Sequence, residues 1–331
     1  MKALVLPAIK SEVELQDRPT PEVGAHQVLV RVRAAALNRR DYWITQGLYP
    51  KIVTPVVLGS DGAGTIETPG NSHPNWKSGD EVVIYPAREW GSDESAQSDS
   101  FTVLGMPEDG TFAEYVRVGI DQLFPKPKHL DWAETAAIPV AGITAFRSVM
   151  VQGRLQAGQK VLITGIGGGV AVFACQIALA AQATVTVTSS QESKLEKAIG
   201  MGATAGFNYK KEGWAKDCLK KAGPFDLIID GAGGPAYADL VSLLKPGGSL
   251  VNYGSTAGRP ENLDLFKIFW RQLKLVGSTL GSPQDFAQLL SFMEQHQIKP
   301  IIDRRQPLNE GPEAIASMKS AAQFGNIVLE C

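Results

Sequence analysis

The sequence has few cysteines, no excess of one charge and no long apolar segment. Its three cysteines, Cys175, Cys218 and Cys331, are too few and too scattered for a disulfide framework. Lys and Arg number 32 against 34 Asp and Glu, which argues against nucleic acid or a membrane surface as the main partner. No segment approaches the roughly 20 apolar residues of a membrane span, and the N-terminal apolar run is too short for a signal peptide. We therefore expect a reducing, cytoplasmic location.

Histidine is also scarce, and its positions do not suggest a metal site. The four histidines, at 26, 73, 129 and 296, are dispersed along the chain. His73 lies in a Gly-Asn-Ser-His-Pro stretch and is interpreted as a surface loop residue. Catalytic zinc needs three nitrogen, sulfur or carboxylate ligands and an open position, and the sequence supplies no such set. We predict no metal.

A glycine-rich turn in the middle of the chain carries the strongest signal. An apolar strand at 161–164 leads into Gly165-Ile166-Gly167-Gly168-Gly169 and then into an alanine-rich apolar helix. Such glycines let the backbone approach a pyrophosphate, which binds at the positive end of the helix dipole. Ala171 replaces the third glycine of the common pattern, which tolerates alanine there. The turn predicts a dinucleotide site; a methyltransferase fold and a turn that only packs helix on strand are the alternatives.

The predicted secondary structure divides the chain into a strand-rich first part and a later part in which strands and helices alternate. The first third is rich in strands, expected at 28–33, 81–85 and 112–118, and helices follow at 132–139 and 142–152. Strands are then predicted at 161–164, 184–188, 206–209, 227–230 and 249–253, alternating with helices at 168–181, 192–201, 214–221 and 237–244. After residue 263 we expect two helices and a last strand at 326–330. The alternation is typical of an α/β fold with a parallel sheet between helices.

Several motifs outside the glycine turn form an ordered series. They are Ala36-Leu37-Asn38 with Asp41, Gly47-Leu48-Tyr49-Pro50, Leu58-Gly59-Ser60-Asp61-Gly62-Ala63-Gly64, Gly110-Thr111-Phe112-Ala113-Glu114-Tyr115, Pro139-Val140-Ala141-Gly142-Ile143-Thr144-Ala145 and Leu244-Lys245-Pro246-Gly247-Gly248. Over nearly its whole length the chain resembles the medium-chain dehydrogenase/reductase superfamily, in its zinc-free, quinone-oxidoreductase-like branch. The resemblance implies a Rossmann doubly wound parallel sheet inserted in a β-rich GroES-like catalytic domain. We place the catalytic domain at 1–131 and 270–331 and the dinucleotide-binding domain at 132–269.

The same resemblance bears on zinc. Zinc-dependent members carry a Cys in the segment that reads 37–41 in this chain, and a His and a Glu in Gly59-Ser60-Asp61. The chain has Asn38 and Ser60 there, and neither is a good zinc ligand. Those members also place four structural cysteines in a lobe that begins after Tyr85, and this chain has none there. Packing of Trp90 on Phe101, with turns, is expected to hold the lobe unless it stays mobile.

Residues at the end of the second predicted strand favour NADP(H) over NAD(H). An NAD enzyme usually places a carboxylate there to bind the ribose, whereas this chain has Ser189 and Ser190, with Lys194 one turn on. Hydroxyl donors and a cation suit a phosphate. By resemblance Tyr209 contacts the 2′-phosphate, while nearby Glu192 is the one residue that would favour NAD.

By resemblance Asn38 and Thr144 lie at the nicotinamide end of the cofactor, and Gly254, Ser255 and Ser278 follow apolar strands at the edge of the sheet where ligands collect. Arg271 is either a phosphate contact or a surface charge. The predicted cofactor-binding residues are Asn38, Thr144, Gly165, Gly167, Gly168, Gly169, Val170, Ser189, Ser190, Lys194, Tyr209, Gly254, Ser255 and Ser278.

The predicted function is hydride transfer from NADPH to a quinone or an α,β-unsaturated carbonyl compound without metal. Such electron-poor acceptors need mainly proximity and orientation, whereas an unactivated ketone needs a Lewis acid or a positioned acid. The predicted catalytic residues are Asn38, Asp41, which orients the loop or donates a proton, and Tyr42, a possible proton donor. The alternatives are an alcohol dehydrogenase or aldehyde reductase of the same family, and a non-catalytic NADP-binding protein. A homodimer is expected, with Leu273-Lys274-Leu275-Val276 as a candidate edge strand or an internal strand.

Overall fold

The computed structural model describes residues 1–69 and 76–331, so His73 lies outside the described residues. The chain divides into two compact units. The first contains Met1–Ala141 and Ser282–Cys331, and the second contains Gly142–Gly281.

The strands of the described residues are β1 (Lys2–Leu6), β2 (Glu14–Asp17), β3 (Gln27–Ala36), β4 (Val56–Val57), β5 (Asp61–Thr68), β6 (Glu81–Ile84), β7 (Ala87–Arg88), β8 (Thr102–Val103), β9 (Tyr115–Gly119), β10 (Leu123–Pro125), β11 (Lys160–Ile163), β12 (Thr184–Ser189), β13 (Ala205–Asn208), β14 (Phe225–Asp230), β15 (Leu244–Asn252), β16 (Lys274–Gly277), β17 (Ile302–Pro307) and β18 (Asn326–Glu330). The α-helices are α1 (Arg39–Thr45), α2 (Trp132–Ala136), α3 (Pro139–Phe146), α4 (Gly169–Ala180), α5 (Glu192–Gly200), α6 (Trp214–Lys221), α7 (Tyr237–Leu243), α8 (Leu265–Trp270), α9 (Pro283–His296) and α10 (Gly311–Ser317).

The first unit is built mainly from antiparallel strands. Its largest sheet has seven strands in the order β10-β6-β5-β3-β18-β17, with β9 also paired to β3; β17 and β18 pair in parallel. Three strands, β2, β1 and β4, form a second sheet, and β7 pairs with β8. Alternate residues of β3, such as Val28, Val30 and Val32, point into one apolar core with Leu4 and Phe112, because side chains of a strand alternate between its faces.

The second unit contains a six-stranded sheet in which every pair of neighbours is parallel. The order is β13-β12-β11-β14-β15-β16, which is the 3-2-1-4-5-6 order of the doubly wound dinucleotide fold. Apart from Lys160 and Asp226, the residues of the central strands β11 and β14 are buried, and most of them are apolar, as expected where helices cover a parallel sheet. The order of strands reverses between β11 and β14, the place where ligands bind in such sheets. The predicted α/β architecture is confirmed.

The strand expected at 112–118 and the helix expected at 142–152 differ in detail from the structure. The strand expected at 112–118 begins only at Tyr115, because the backbone of Phe112 bonds to Leu4 and Leu58 outside that strand. The helix expected at 142–152 begins at Pro139, a residue suited to a first helical turn, and its last six residues, Arg147–Gln152, form a π-helix.

After residue 263 the structure has three α-helices and three strands, where two helices and one strand were expected. The segment 273–276, considered above as an edge or internal strand, contains most of β16. The missed strand β17 is short and mostly polar. The boundaries of the compact units also differ from those expected. Helix α2 contacts β3 and β5 of the first unit, and β16 completes the parallel sheet of the second. The divisions therefore fall at 141/142 and 281/282 rather than at 131/132 and 269/270.

Candidate active site

The glycine turn follows β11 and opens helix α4. Gly165 and Gly167 have φ angles of +64° and +128°, which residues with a side chain rarely adopt, and Gly168 is the N-cap of α4. A Cβ at Gly165 or Gly168 would meet nothing within 4 Å, so the backbone at these two positions is open to a ligand. Gly169 and Val170 form the first, half-buried turn of the helix. An exposed turn with helix N–H groups fits a pyrophosphate.

Lys194 lies directly against this turn. The residue is buried although it is a lysine, and a Cβ on Gly167 would come within 2.6 Å of its Cδ and 2.9 Å of its Nζ. A glycine at 167 is therefore what allows the lysine to lie across the turn. The predicted pairing of Lys194 with the cofactor site is thus geometrically reasonable, because the ammonium group adds positive charge where a phosphate would bind.

The residues at the end of β12 form a small polar corner. Ser189 is buried as the last residue of the strand, and its carbonyl accepts the backbone N–H of Tyr209 at 3.1 Å. Ser190 is half-buried, and the Tyr209 side chain is 39% exposed, so both are accessible. Glu192 is engaged by Lys211 at 2.8 Å and by the Asn208 amide.

Those contacts of Glu192 matter for the cofactor. Lys211 and the Asn208 amide lower the pKa of this exposed carboxyl group, so it is charged and paired. The pairing with Lys211 reduces the repulsion that Glu192 would exert on a phosphate. The negative charge of Glu192, the one residue that favours NAD, is therefore partly neutralised by Lys211.

A buried carboxylate, which the sequence did not single out, organises the carboxyl edge of β14 and β15. Asp230 accepts from Thr164 Oγ1 at 2.6 Å, from the Gly233 N–H at 2.8 Å and from the Asn252 amide at 3.2 Å. The same Asn252 amide donates to the carbonyl of Gly254 at 2.8 Å. An acidic residue at the end of the apolar run 227–230 was the available signal.

The remaining predicted cofactor residues occupy different settings. Ser255 is exposed, whereas Ser278 is buried and its hydroxyl has no hydrogen-bond partner in the described part of the chain. Thr144 is buried in α3. Arg271 donates to the carbonyl oxygens of Ser242 and Leu244 near the end of α7, a structural role that suits a cation at a helix C-terminus.

Within the first unit, five residues form what we call the buried polar cluster: Asn38, Arg40, Asp41, Ser60 and Asp61. Asn38 is the N-cap of α1, and its backbone N–H donates to Asp41 Oδ2 at 2.7 Å. Arg40 donates to Ser60 Oγ. Asp61 Oδ1 accepts the backbone N–H of Val140, in the first turn of α3, at 2.9 Å. The structure thus brings the predicted Asn38 and Asp41 together.

Several polar atoms of this cluster are buried and have no hydrogen-bond partner among residues 1–69 and 76–331. They are Asn38 Nδ2, Arg40 Nε, Asp41 Oδ1 and Asp61 Oδ2. The Asn38 amide nevertheless lies near enough to Asp61, and the Gly59 N–H near enough to Asp41, to lower the pKa of each carboxyl group. Unpaired buried polar atoms are costly and are commonly explained by water, an ion or a functional role. The concentration of four of them in one place distinguishes this cluster as a candidate reaction site.

Burial dominates the electrostatics of the two carboxyl groups. It raises the pKa of Asp41 to about 6, although the charge of Arg40 and the Asn38 N–H act in the opposite direction. Burial also raises the pKa of Asp61 to about 8, against the amide of Asn38 and the N–H of Val140, and the charge of Asp41 adds to the rise. Asp61 is therefore the carboxyl group of the two that holds its proton to higher pH.

Tyr42, the third predicted catalytic residue, follows the cluster in α1. It is half-buried and packs against the core of the first unit, with its ring 5.6 Å from that of Trp43. The guanidinium carbon of Arg39 lies 6.0 Å from the Tyr42 ring centre. These contacts are compatible with a packing role for Tyr42, and its partial exposure is compatible with a role as proton donor.

The donor set does not fit zinc. In the segments where the resemblance places the Cys, His and Glu of zinc-dependent members, the cluster has Asn38, Ser60 and Asp61, and Arg40 donates to the Ser60 oxygen. Within residues 1–69 and 76–331, no three His, Cys, Asp or Glu side chains gather as metal ligands. A neighbouring guanidinium also repels a divalent cation.

The lobe after Tyr85 is held by aromatic packing, as the first of the two expectations had it. Trp90 is buried, its ring meets Phe101 edge-to-face at 5.6 Å, and its Nε1 donates to the carbonyl of Asp93. The Ser98 hydroxyl donates to the carbonyl of Glu89.

None of the helices described for residues 1–69 and 76–331 has both the length and the hydrophobicity needed to cross a membrane.

Comparison with known proteins agrees with this geometry. Residues 24–128 match the family model of the alcohol dehydrogenase GroES-like domain, and residues 169–295 match that of the zinc-binding dehydrogenases. The chain belongs to the medium-chain dehydrogenase/reductase superfamily and is alcohol dehydrogenase-like, as the motifs predicted. Its relatives in this superfamily are oxidoreductases.

Individual relatives carry different activities. A zinc-type alcohol dehydrogenase-like protein of Leptosphaeria maculans is 33% identical, with 96% of this chain and 94% of the relative covered. The acryloyl-coenzyme A reductase of Sulfurisphaera tokodaii is 30% identical over all of both chains. Mouse quinone oxidoreductase is 29% identical, with 89% of this chain and 86% of the relative covered. A solved structure of an NAD-dependent alcohol dehydrogenase is 33% identical, with a TM-score of 0.94 and full coverage of both chains.

Proposed function

We propose that this protein is an NADPH-dependent reductase that transfers hydride to a quinone or an α,β-unsaturated carbonyl compound without a metal ion. The observation that carries the proposal is the buried polar cluster: it contains an arginine and polar groups in the segments where zinc-dependent members bind metal. Acceptors that are already electron-poor need no Lewis acid. The similarity to an acryloyl-coenzyme A reductase and a quinone oxidoreductase supports this substrate class.

The cofactor supplies the hydride when it is bound. The glycine turn is proposed to hold its pyrophosphate, and Lys194, Ser189, Ser190 and Tyr209 the adenosine 2′-phosphate. Compensation of Glu192 by Lys211 supports the choice of NADP(H). At the nicotinamide end we propose Asn38 and Thr144, with Gly254, Ser255 and Ser278 at the edge of the sheet.

Within the cluster, Asp41 is proposed to orient Asn38, because the Asn38 backbone N–H donates to Asp41 Oδ2 at 2.7 Å. Tyr42 is proposed to donate the proton that follows hydride transfer to an enal. Carbon protonation of an enolate benefits from a positioned acid, whereas a hydroquinone oxygen takes a proton readily from water. Tyr42→Phe should therefore reduce kcat with enals more than with quinones, and Tyr115→Phe, a strand residue of the same unit, should alter neither.

The direct test is oxidation of NADPH and of NADH with a panel of quinones, enals, ketones and aldehydes. The proposal expects turnover of quinones or enals and preference for NADPH. Turnover confined to simple aldehydes or ketones would indicate the alcohol dehydrogenase alternative. Binding of NADPH without turnover of any acceptor would indicate a non-catalytic binding protein.

We also propose a homodimer formed at the edge of the parallel sheet. Among the described strands β16 pairs only with β15, so its other edge is open. Helix α8 precedes it and exposes Leu265, Phe266, Phe269 and Trp270, the last of them 70% exposed. An open strand edge beside an exposed apolar surface favours association with a second copy.

A further inference from the structure

The Arg40 guanidinium connects three separate segments of the first unit. From α1, one terminal nitrogen donates to Ser60 Oγ and to the carbonyl oxygen of Leu104 at 2.6 Å, and the other to the carbonyl of Met106 at 3.4 Å. Its Cζ lies 5.2 Å from the centre of the Tyr49 ring. Directed hydrogen bonds and a cation–π contact together fix both the position and the orientation of this charge.

The positive charge of Arg40 lies near two carboxyl groups and a hydroxyl group. Its field lowers the pKa of both Asp41 and Asp61, so it favours their ionised forms. Ser60, which stands in the segment of the metal-binding His of zinc-dependent members, accepts from it. The arginine therefore contacts one of the positions at which the resemblance places a metal ligand.

We propose that Arg40 supplies the fixed positive charge of the buried polar cluster and, through Asp41, positions Asn38 for the reaction. Arg40 is therefore a positioning residue, and this inference rests on the reductase function proposed above. Asp41 Oδ2 accepts the Asn38 N–H, and a carboxylate accepts more strongly than a neutral carboxylic acid. Loss of the positive charge should let Asp41 take up a proton, weaken that bond and release Asn38 from its N-cap position.

The consequence is a defined change in pH dependence. Asp41 should be ionised in the active form, so kcat/KM of the wild type should fall as the pH drops through about 6. The charged group that acts on Asp41 is Arg40 in α1. Asp61 in β5 has its own pKa raised to about 8, so it is protonated near pH 6. Arg40→Gln removes the positive charge of Arg40, and the acid limb should move upward by at least about one pH unit.

The matched control is Arg39→Gln, which removes the same charge from the neighbouring residue. Arg39 donates to the carbonyl of Met318 and not to Ser60, so its substitution should leave the acid limb in place. Arg40→Lys keeps the positive charge but loses the several directed donors of the guanidinium group. The fall of kcat/KM at acidic pH should therefore stay near the wild-type pH, while kcat should be lower. A limb that is the same in both glutamine variants, or that moves equally in Arg40→Lys and Arg40→Gln, would overturn the proposal.

Ser60→Ala gives a second test if Arg40→Gln does not fold. It removes one anchor of the guanidinium and leaves the charge, so it should shift the acid limb in the same direction but less. An unchanged limb in Ser60→Ala would contradict the role of that anchor.

A readout that does not need an acceptor separates this inference from the function proposed above. The pKa of Asp41 is raised by folding, so its ionisation costs stability as the pH rises through the folded value. In Arg40→Gln the decrease of the free energy of unfolding with pH should extend to higher pH than in Arg39→Gln. Urea unfolding between pH 5 and pH 8 measures this difference. If the two variants differ in this way but no acceptor is reduced, the proposed reductase function is wrong and the electrostatic role of Arg40 is supported. If the two variants do not differ, the proposed role of Arg40 is wrong.

Discussion

Lys194 is the residue on which cofactor preference depends most directly. Its side chain lies against Gly167 of the glycine turn, and its ammonium is proposed to give the 2′-phosphate a charge-assisted hydrogen bond. Lys194→Ala should weaken NADPH binding by about 1.5–3 kcal/mol, or at least tenfold in Kd, and change NADH little. Fluorescence titration with both cofactors measures this. Lys216→Ala, an exposed lysine of α6, is the control, and equal losses for NADPH and NADH would contradict the assignment.

Asp61 should make the protein less stable as the pH rises. Its pKa is raised by folding to about 8, so the native state binds the proton more tightly than the unfolded chain. The stabilisation is complete below the unfolded pKa near 4 and is lost as the pH rises toward 8, with a slope of at most about 1.4 kcal/mol per pH unit. Asp61→Asn should flatten this dependence in urea unfolding. Asp99→Asn, on the exposed lobe, should keep the wild-type slope, and a slope shared by wild type and Asp61→Asn would contradict the account.

Among the elements, the lobe around β7 and β8 should be stabilised by its aromatic pair and not by metal. Trp90→Ala removes a buried side chain and should cost about 3–5 kcal/mol. A double-mutant cycle with Phe101→Ala should give a coupling of about 0.5–1.5 kcal/mol from the edge-to-face contact. Thermal unfolding with and without a chelator is the measurement. A chelator that lowers Tm by as much as Trp90→Ala would contradict metal-free packing.

Strand β16 and helix α8 should carry the proposed dimer contact. The double variant Phe266→Ser and Trp270→Ser removes two stacked, exposed rings and should yield a monomer in analytical ultracentrifugation. Leu219→Ser, an exposed apolar residue of α6, should leave the assembly unchanged. A wild-type monomer, or a dimer that survives the double substitution, would refute this surface.

For the molecule as a whole, the second unit could be predicted from the sequence far better than the first. Its strands, four to nine residues long, alternate with helices along the chain, and its ligand turn is a contiguous glycine motif. Local pattern is therefore enough. Asp230 was missed as an organising group because its partners, Thr164 and Asn252, lie 66 and 22 residues away.

The first unit depends on contacts between distant parts of the chain. The two-residue strand β4 exists because Val56 and Val57 pair with β1, and no periodicity marks so short a strand. The motif containing Asn38 and Asp41 pointed to helix α1, whose N-terminal part contributes to the buried polar cluster. Arg40 did not stand out, because its acceptors Ser60 and Leu104 are 20 and 64 residues away and only the fold brings them within reach.

We expect the buried polar cluster to support hydride transfer with its own arginine and without bound metal. The most direct measurement is the rate of NADPH oxidation with an enal or a quinone in samples of graded, independently determined zinc content. We predict a kcat that stays constant as zinc falls toward zero. A kcat that rises in proportion to bound zinc would contradict the account and return the protein to the metal-dependent alcohol dehydrogenases.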